Sequence, residues 1–423
     1  MRCWARSPPE REPEVQTQAK PAGALAGLRV IDLTQMLAGP FCTQILADHG
    51  ADVIKVEAMT GDGTRVTGPF CPDDALRDFG GYFQSVNRNK RSIALDLKTS
   101  AGREILRRLI DGADVVVENF RAGVMERLGL SYETLRETNS RLVYGAVRGF
   151  GDPRSGESPY AQWPAYDVVS QAMGGMMGIT GPDRDTPTKI GPGVGDTVPA
   201  LMLCIGILAA VNRVRETGQG QFVDVAMTDA VLAMCERIVY QTSYTGAVPA
   251  PEGNRHPLLC PFGLFRARDG HVSIACATDA FWEKLAIAIG RPDMAQDPAF
   301  ATNAARVQHQ QQVIDAIEAF TAVRTKEEIA VALGGKVPFG PVYTSAEIFA
   351  DRHYAVREML VDVEQPGSTK PVKIAGVPIK LSDTPGAVRR RAPMFGEHTD
   401  EILGGIGYAD DLIRALKAQR VVA

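Results

Sequence analysis

From Leu28 the chain alternates between two kinds of segment, and that alternation restricts its fold more than any other feature. "LRVIDL" is an aliphatic run of strand length, "GPFCTQILADHG" has apolar residues at helical spacing and closes at Gly50, and "ADVIKVE" is strand again. "SAGREILRRLIDGA" reads as an amphipathic helix capped by Ser100 and stopped by Gly112; "DVVVENF" and "RLVYGAVRGF" are further strands. Strand and helix in turn predict an α/β fold, a parallel sheet with helices on its faces. Ligands of such sheets sit beyond the carboxyl ends of the strands. The first strand leads into "TQMLAGPF", a single glycine before a proline rather than G-x-G-x-x-G, and the phosphate loop G-x-x-x-x-G-K-[ST] does not occur. NAD is therefore not the expected cofactor.

After Met227 the texture changes. "MTDAVLAMCERIVYQTSY" reads as one helix, "GAVPAPEGNRHP" as a loop, and "FGLFRARDGHVSIACAT" as a hairpin turning at Asp269-Gly270, with helices to about Leu333. This predicts a large domain over residues 25–244, a smaller α+β domain over 245–345 and a C-terminal segment over 346–423. In that segment "PVKIAGVPIKLSDTP" reads as strand and loop, and "FGEHTDEILGGIGY" opens a helix at Thr399. Residues 1–24 are polar and Pro-rich and read as a disordered tail. They lack the apolar core of a secretory signal, and Glu10, Glu12 and Glu14 oppose an Arg-rich presequence. The expected location is the cytoplasm rather than the mitochondrial matrix.

Charge and composition exclude several classes of function. Net charge is −4 with no basic run, so no nucleic-acid partner is expected. The longest apolar stretch, Val198 to Val211, is shorter than the roughly 20 residues that span a bilayer, so no membrane is expected. The seven cysteines, Cys3, Cys42, Cys71, Cys204, Cys235, Cys260 and Cys276, form no C-x-x-C pair and read as reduced thiols. The six histidines show no metal-ligand spacing, so no metal site is expected.

One acid stands apart. "GPGVGDTVPALMLCIGILAAV" places Asp196 in a glycine-rich turn directly before sixteen uncharged residues, Thr197 to Asn212. Asp is a favoured helix N-cap, and the apolar segment after it reads as a buried helix. The same acid, flanked by Gly191, Gly193 and Gly195, is also open to close approach by a bulky substrate, as a carboxylate nucleophile must be. The local pattern leaves both roles open.

Several segments together resemble a known family. "LAGLRVIDLTQMLAGPFCTQILADHGADVIKVE", "NRNKRSIALDLKTSAGREIL", "ADVVVENFRAGVMERLGL", "YDVVSQAMGGMMGITG", "ETGQGQFVDVAMTDAVL", "FGPVYTSAEIFAD" and "GEHTDEIL" are similar in order and spacing to the class III CoA-transferases, the formyl-CoA and carnitine CoA-transferase family. The resemblance covers nearly the whole chain from Leu25. It implies a Rossmann-like large domain holding both chain ends, an inserted small domain, and a homodimer of two interlocked ring-like chains. It maps the family nucleophile onto Asp196. The implied chemistry passes through an aspartyl anhydride and an aspartyl-CoA thioester, with acyl-CoA as substrate and no permanently bound cofactor. Met36, Leu37, Ala38, Leu95, Asn119, Phe120 and Arg127 match CoA-binding positions, and Tyr82 and Tyr166 match substrate-side tyrosines.

The sequence also departs from the formyl-CoA branch, which has Gln at Leu37, Arg at Ala58 and a four-glycine run where this chain has "GNRHPLLCPFG". Oxalate is thereby disfavoured. Arg255 and His256 offer cationic groups for a second carboxylate. The expectation is succinyl-CoA as donor and a C4–C5 dicarboxylate such as citramalate, mesaconate or glutarate as acceptor, or CoA moving between the two ends of one such acid. The alternative is an α-methylacyl-CoA racemase on the same fold. That branch pairs the aspartate with a histidine where this chain has Tyr166, and a tyrosine is a poor proton shuttle near pH 7.

Overall fold

A computed structural model describes residues 23–423. The tail expected over residues 1–24 lies outside the described residues except for Gly23 and Ala24. Those two are placed in a turn: the Gly23 carbonyl accepts from Ala26 N at 2.9 Å, and Leu25 N donates to the His49 carbonyl at 2.9 Å.

The alternation is present. Strand β1 (Arg29–Asp32), helix α1 (Ala38–Asp48), β2 (Asp52–Glu57), α2 (Gly81–Asn87), β3 (Arg91–Ala94), α3 (Ser100–Asp111) and β4 (Val115–Glu118) come first. Then follow α4 (Val124–Arg127), α5 (Tyr132–Thr138), β5 (Val143–Arg148), α6 (Asp167–Met173), α7 (Val194–Thr217) and β6 (Phe222–Ala226). The six strands form one parallel sheet in the order β3-β2-β1-β4-β5-β6. The chain works outward from β1 to β3, returns beside β1 as β4, and works outward the other way. The loops leaving β1 and β4 diverge, which opens a crevice beyond their carboxyl ends.

Strand residues alternate between two cores, as a sheet covered on both faces requires. Ile31, Ile54, Ile93 and Val116 pack on the α3 side. Val30, Val53, Val115 and Val117 pack on the side of α1 and α7. The cap of α3 is Thr99 rather than Ser100: its hydroxyl accepts from Gly102 N at 3.0 Å, leaving Ser100 as the first helical residue.

Helix α7 differs from the expected all-round buried helix. Leu203, Ile207, Ala210 and Val214 are buried, but Leu201, Ile205 and Leu208 are exposed, Ile205 by 68%. By length and composition α7 could cross a membrane, yet its buried face belongs to the core that holds β1 and β4, as in a helix packed on a sheet. The single helix expected from Met227 breaks at Cys235 into α8 (Met227–Met234) and α9 (Glu236–Thr245), and α9 buries none of its residues within the chain.

The hairpin forms as expected. Strands β7 (Phe262–Ala267) and β8 (Gly270–Ala275) are antiparallel with Ala267 opposite Gly270, and β9 (Phe339–Pro341) joins β8. Helices between Asp279 and Leu333 close a separate core around Phe265, Val272, Trp282 and Ile317. The chain then returns to the parallel sheet, where Asp96 N donates to the Val421 carbonyl at 2.9 Å.

Candidate active site

The loop after β1 is held almost entirely by side chains. Three successive amides each donate to a different residue: Thr34 N to Asp32 Oδ1 at 2.9 Å, Gln35 N to Asn119 Oδ1 at 2.9 Å, and Met36 N to Asp62 Oδ1 at 3.4 Å. The loop's carbonyls are held as well, Thr34 O by Lys55 Nζ at 2.8 Å and Gln35 O by Asn119 Nδ2 at 2.7 Å. Leu37 then precedes α1, whose N-terminus no side chain caps. Met36, Leu37 and Ala38 form one lip of a cleft of about 320 Å³.

Asn119, Phe120 and Arg121 leave β4 and line the same cleft. Both polar atoms of the Asn119 amide are engaged by Gln35, so its side chain ties two loops together. Arg148, at the end of β5, donates from Nε to the Phe120 carbonyl at 3.1 Å and pairs with Glu118 and Asp152. That leaves Arg121, exposed and paired with no described residue, as the cleft's unengaged cation. Phe120 and Gln35 also border a second cleft of about 100 Å³ over the ends of β1 and β2, so the two clefts adjoin across the Phe120 ring.

Asp196 faces the first cleft from the first turn of α7. It is the third helical residue, not the cap, and its carboxylate accepts no hydrogen bond from any described residue. The capping is done from α6. Asp167 Oδ1 accepts from Gly195 N at 2.8 Å and from Gln171 Nε2 at 2.8 Å, while Oδ2 lies 3.3 Å from Lys189 Nζ. A Cβ on Gly195 would sit 2.4 Å from the Asp167 carbonyl oxygen, so only glycine allows this close approach.

Burial, and then the nearby Asp167 charge, push Asp196 up from its ordinary 3.8 to about 7. The folded chain thus holds this proton more tightly than the unfolded chain, so its contribution to stability falls as pH rises from about 4 to 7. Asp196→Asn removes that dependence. The variant is expected to melt above the wild type at pH 8, with the gap closing towards pH 4; equal melting temperatures at pH 8 would contradict the placement of this carboxylate.

The other expected residues divide. Tyr166, 62% exposed, lines the cleft. Tyr82 on α2 is half-buried within the field of Asp196; burial, with the Asp196, Asp62 and Asp167 charges, pushes its phenol up to about 12. Arg127 is exposed on α4, and its guanidinium folds back over Gly123, where an added Cβ would meet Nη1 at 3.0 Å. Leu95 does not line the cleft: its side chain is fully buried in the sheet core, and its backbone bridges Val422. Arg255 and His256 do not join Asp196 within the chain. Arg255 lines a small pocket with Cys260 and Glu318. His256 Nδ1 accepts from Leu258 N at 3.1 Å, and burial and Arg237 hold its pKa down, so the ring is neutral rather than cationic.

Sequence reasoning missed Arg121, Asp167 and Trp163, whose exposed indole lines the cleft against Tyr160 at 4.8 Å. Arg121 had a signal, since it directly follows a parallel strand at the ligand-binding end. A larger cleft of about 420 Å³ beside Arg389, Arg390 and Arg391 contains no unpaired carboxylate of this kind and lies apart from Asp196.

Residues 25–399 match the model of CoA-transferase family III. The chain is 49% identical to succinyl-CoA:mesaconate CoA-transferase of Haloarcula hispanica over 91% of its own length and 97% of that protein. It is 36% identical to succinyl-CoA–D-citramalate CoA-transferase of Chloroflexus aurantiacus, over 95% and 99% of the two chains. Its fold is similar to the crystal structure of a CAIB/BAIF family protein from Brucella suis, with a TM-score of 0.80, 37% identity and coverage of 91% and 100%.

Proposed function

The chain belongs to CoA-transferase family III, and from that premise we propose that it moves CoA from succinyl-CoA to a C4–C5 dicarboxylate through Asp196. The observation that carries this is an uncapped, unpaired carboxylate at the mouth of a cleft, freed because Asp167 takes over the helix cap.

The steps balance without a proton. The Asp196 carboxylate attacks the thioester carbonyl, the C–S bond breaks, and CoA leaves as thiolate from a mixed anhydride. The thiolate attacks the aspartyl carbonyl, releasing the donor acid as carboxylate and leaving an aspartyl-CoA thioester. The acceptor carboxylate attacks that thioester, and the same two steps run in reverse. The thiolate is an anion, and Asp196 is one above its pKa of about 7, so at and above that pH the chemistry needs no general base. It does need donors aimed at the developing oxyanions. Tyr82 lies within the field of Asp196 but outside the residues that line the cleft; it keeps its proton across the working pH range and no described residue engages its hydroxyl, which makes it the donor to test. Arg121, which lines the cleft, supplies positive charge for the phosphates of CoA, and the exposed Arg127 on the following helix α4 is a second candidate cation. No histidine lines the cleft among the described residues, which disfavours a racemase-type proton shuttle.

The choice of acids rests on the relatives, since Arg255 and His256 lie off the cleft within the chain. Mesaconate is the first acceptor to test and citramalate the second. With succinyl-CoA and a panel of acids, mass analysis should show mesaconyl-CoA forming faster than butyryl-CoA or oxalyl-CoA. A preference for monocarboxylates would remove the substrate claim and leave the transferase chemistry.

The interlocked homodimer belongs to the same proposal. The bare apolar side of α7 and the outer side of α9, with Tyr244 89% exposed, suit cover by a second copy. Light scattering should give twice the 45.6 kDa chain mass; a monomer at micromolar concentration would exclude the dimer.

A further inference from the structure

Beneath the lip of the cleft lies a group of buried charges that the proposed chemistry does not use. Lys55 Nζ and Asp62 Oδ2 pair at 2.9 Å with side chains 0% and 1% exposed. Asp62 N donates to Glu57 Oε2 at 3.0 Å, and Glu57 in turn pairs with Arg65 at 2.6 Å. Buried ion pairs add little net stability, because desolvation offsets their attraction. Their arrangement points instead to geometry.

Asp62 Oδ1 faces Met36 N, and Lys55 Nζ holds the Thr34 carbonyl. Met36 has φ +67°, a left-handed conformation that is unfavourable for any residue with a Cβ. A residue in that state persists only where its surroundings over-determine it. Two neighbours hold it: Asn119 fixes Gln35 through both its amide atoms, and Asp62 accepts from Met36 N at 3.4 Å while its Oδ1 is itself held by Thr64 N at 2.9 Å and the Thr64 hydroxyl at 2.8 Å. Released from Asp62, Met36 would relax to negative φ and turn Leu37 and Ala38 away from Asp196.

We propose that the Lys55–Asp62 pair is a positioning device that fixes the left-handed turn at Met36, and through it the lip facing Asp196, without touching the acyl-CoA. This rests on the reading that acyl-CoA reacts in the Asp196 cleft. Both residues line the smaller adjoining cleft, so a direct contribution to CoA binding is the rival to exclude.

The test is a double-mutant cycle between Asp62→Ala and Met36→Gly, with kcat and KM for acyl-CoA measured on protein shown by circular dichroism to be folded. Asp62→Ala should lower kcat by up to about 10²-fold, as a displaced site does, with KM within about threefold. Glycine adopts the left-handed turn unaided, so in a Met36→Gly background the same change should cost less than about fivefold. Additive losses, or a raised KM with unchanged kcat, would overturn the proposal. If Asp62→Ala does not fold, Lys55→Met gives the same decision: lowered kcat at constant KM supports positioning, and unchanged kcat overturns it. Asp196→Ala serves as the separate reference, because turnover in that variant would remove the nucleophile and leave the result of the cycle standing.

Discussion

Asp196→Ala is expected to give a folded protein with CoA transfer lowered by at least about 10³-fold, the loss typical of removing a covalent nucleophile. The fold should survive because the side chain accepts no hydrogen bond from a described residue and α7 keeps its cap from Asp167 at 2.8 Å. A capping aspartate would behave in the opposite way, losing about 1 kcal/mol of stability while leaving activity intact. Melting temperature and turnover together therefore separate the two roles. Substantial transfer by folded Asp196→Ala protein would end the assignment. Trapping supplies a second check: with succinyl-CoA alone, the wild type should accumulate a CoA adduct on the tryptic peptide containing Asp196, and the variant should not.

Arg121→Ala should have the next largest effect, on KM rather than kcat. A hydrogen bond to a charged group contributes about 1.5–3 kcal/mol, which corresponds to a rise in KM of about 10- to 100-fold. The phosphates of CoA are remote from the reacting carbonyl, so their contact holds ground state and transition state alike and kcat should change little. A truncated thioester that lacks the phosphates separates this from a local distortion: its KM should be the same for wild type and variant. An unchanged KM for acyl-CoA would show that Arg121 is solvated and unconnected with binding.

Strands β1, β2, β4 and β5 were legible because they are rich in Val and Ile, "VVV" at Val115–Val117 among them, whereas β3 ("RSIA") and β6 ("FVDVA") were not read as strands. The start of α7 was not. Gly193, Val194 and Gly195 are poor helix formers, so local propensity placed the helix after Asp196, whereas tertiary contact with Asp167 starts it at Val194. The true cap lies 28 residues upstream, beyond the reach of any local pattern. The burial of Leu95 was not legible for a similar reason: Val422, from the far end of the chain, folds in beside it. For Arg255 and His256 the sequence showed charge-bearing side chains but not what they face: burial and Arg237 hold the imidazole's pKa down. Residue type is local, whereas burial, partner and protonation are set by segments that fold in from elsewhere.

Helix α7 carries Asp196 at its tip and bare leucine and isoleucine along its outer side. Covered by a second copy, that helix is part of a bimolecular equilibrium, and mass action then governs how firmly its tip is held. The melting temperature should climb with protein concentration. Threaded chains separate only when one of them unfolds, so specific activity should hold steady on dilution while the melt still registers the protein concentration.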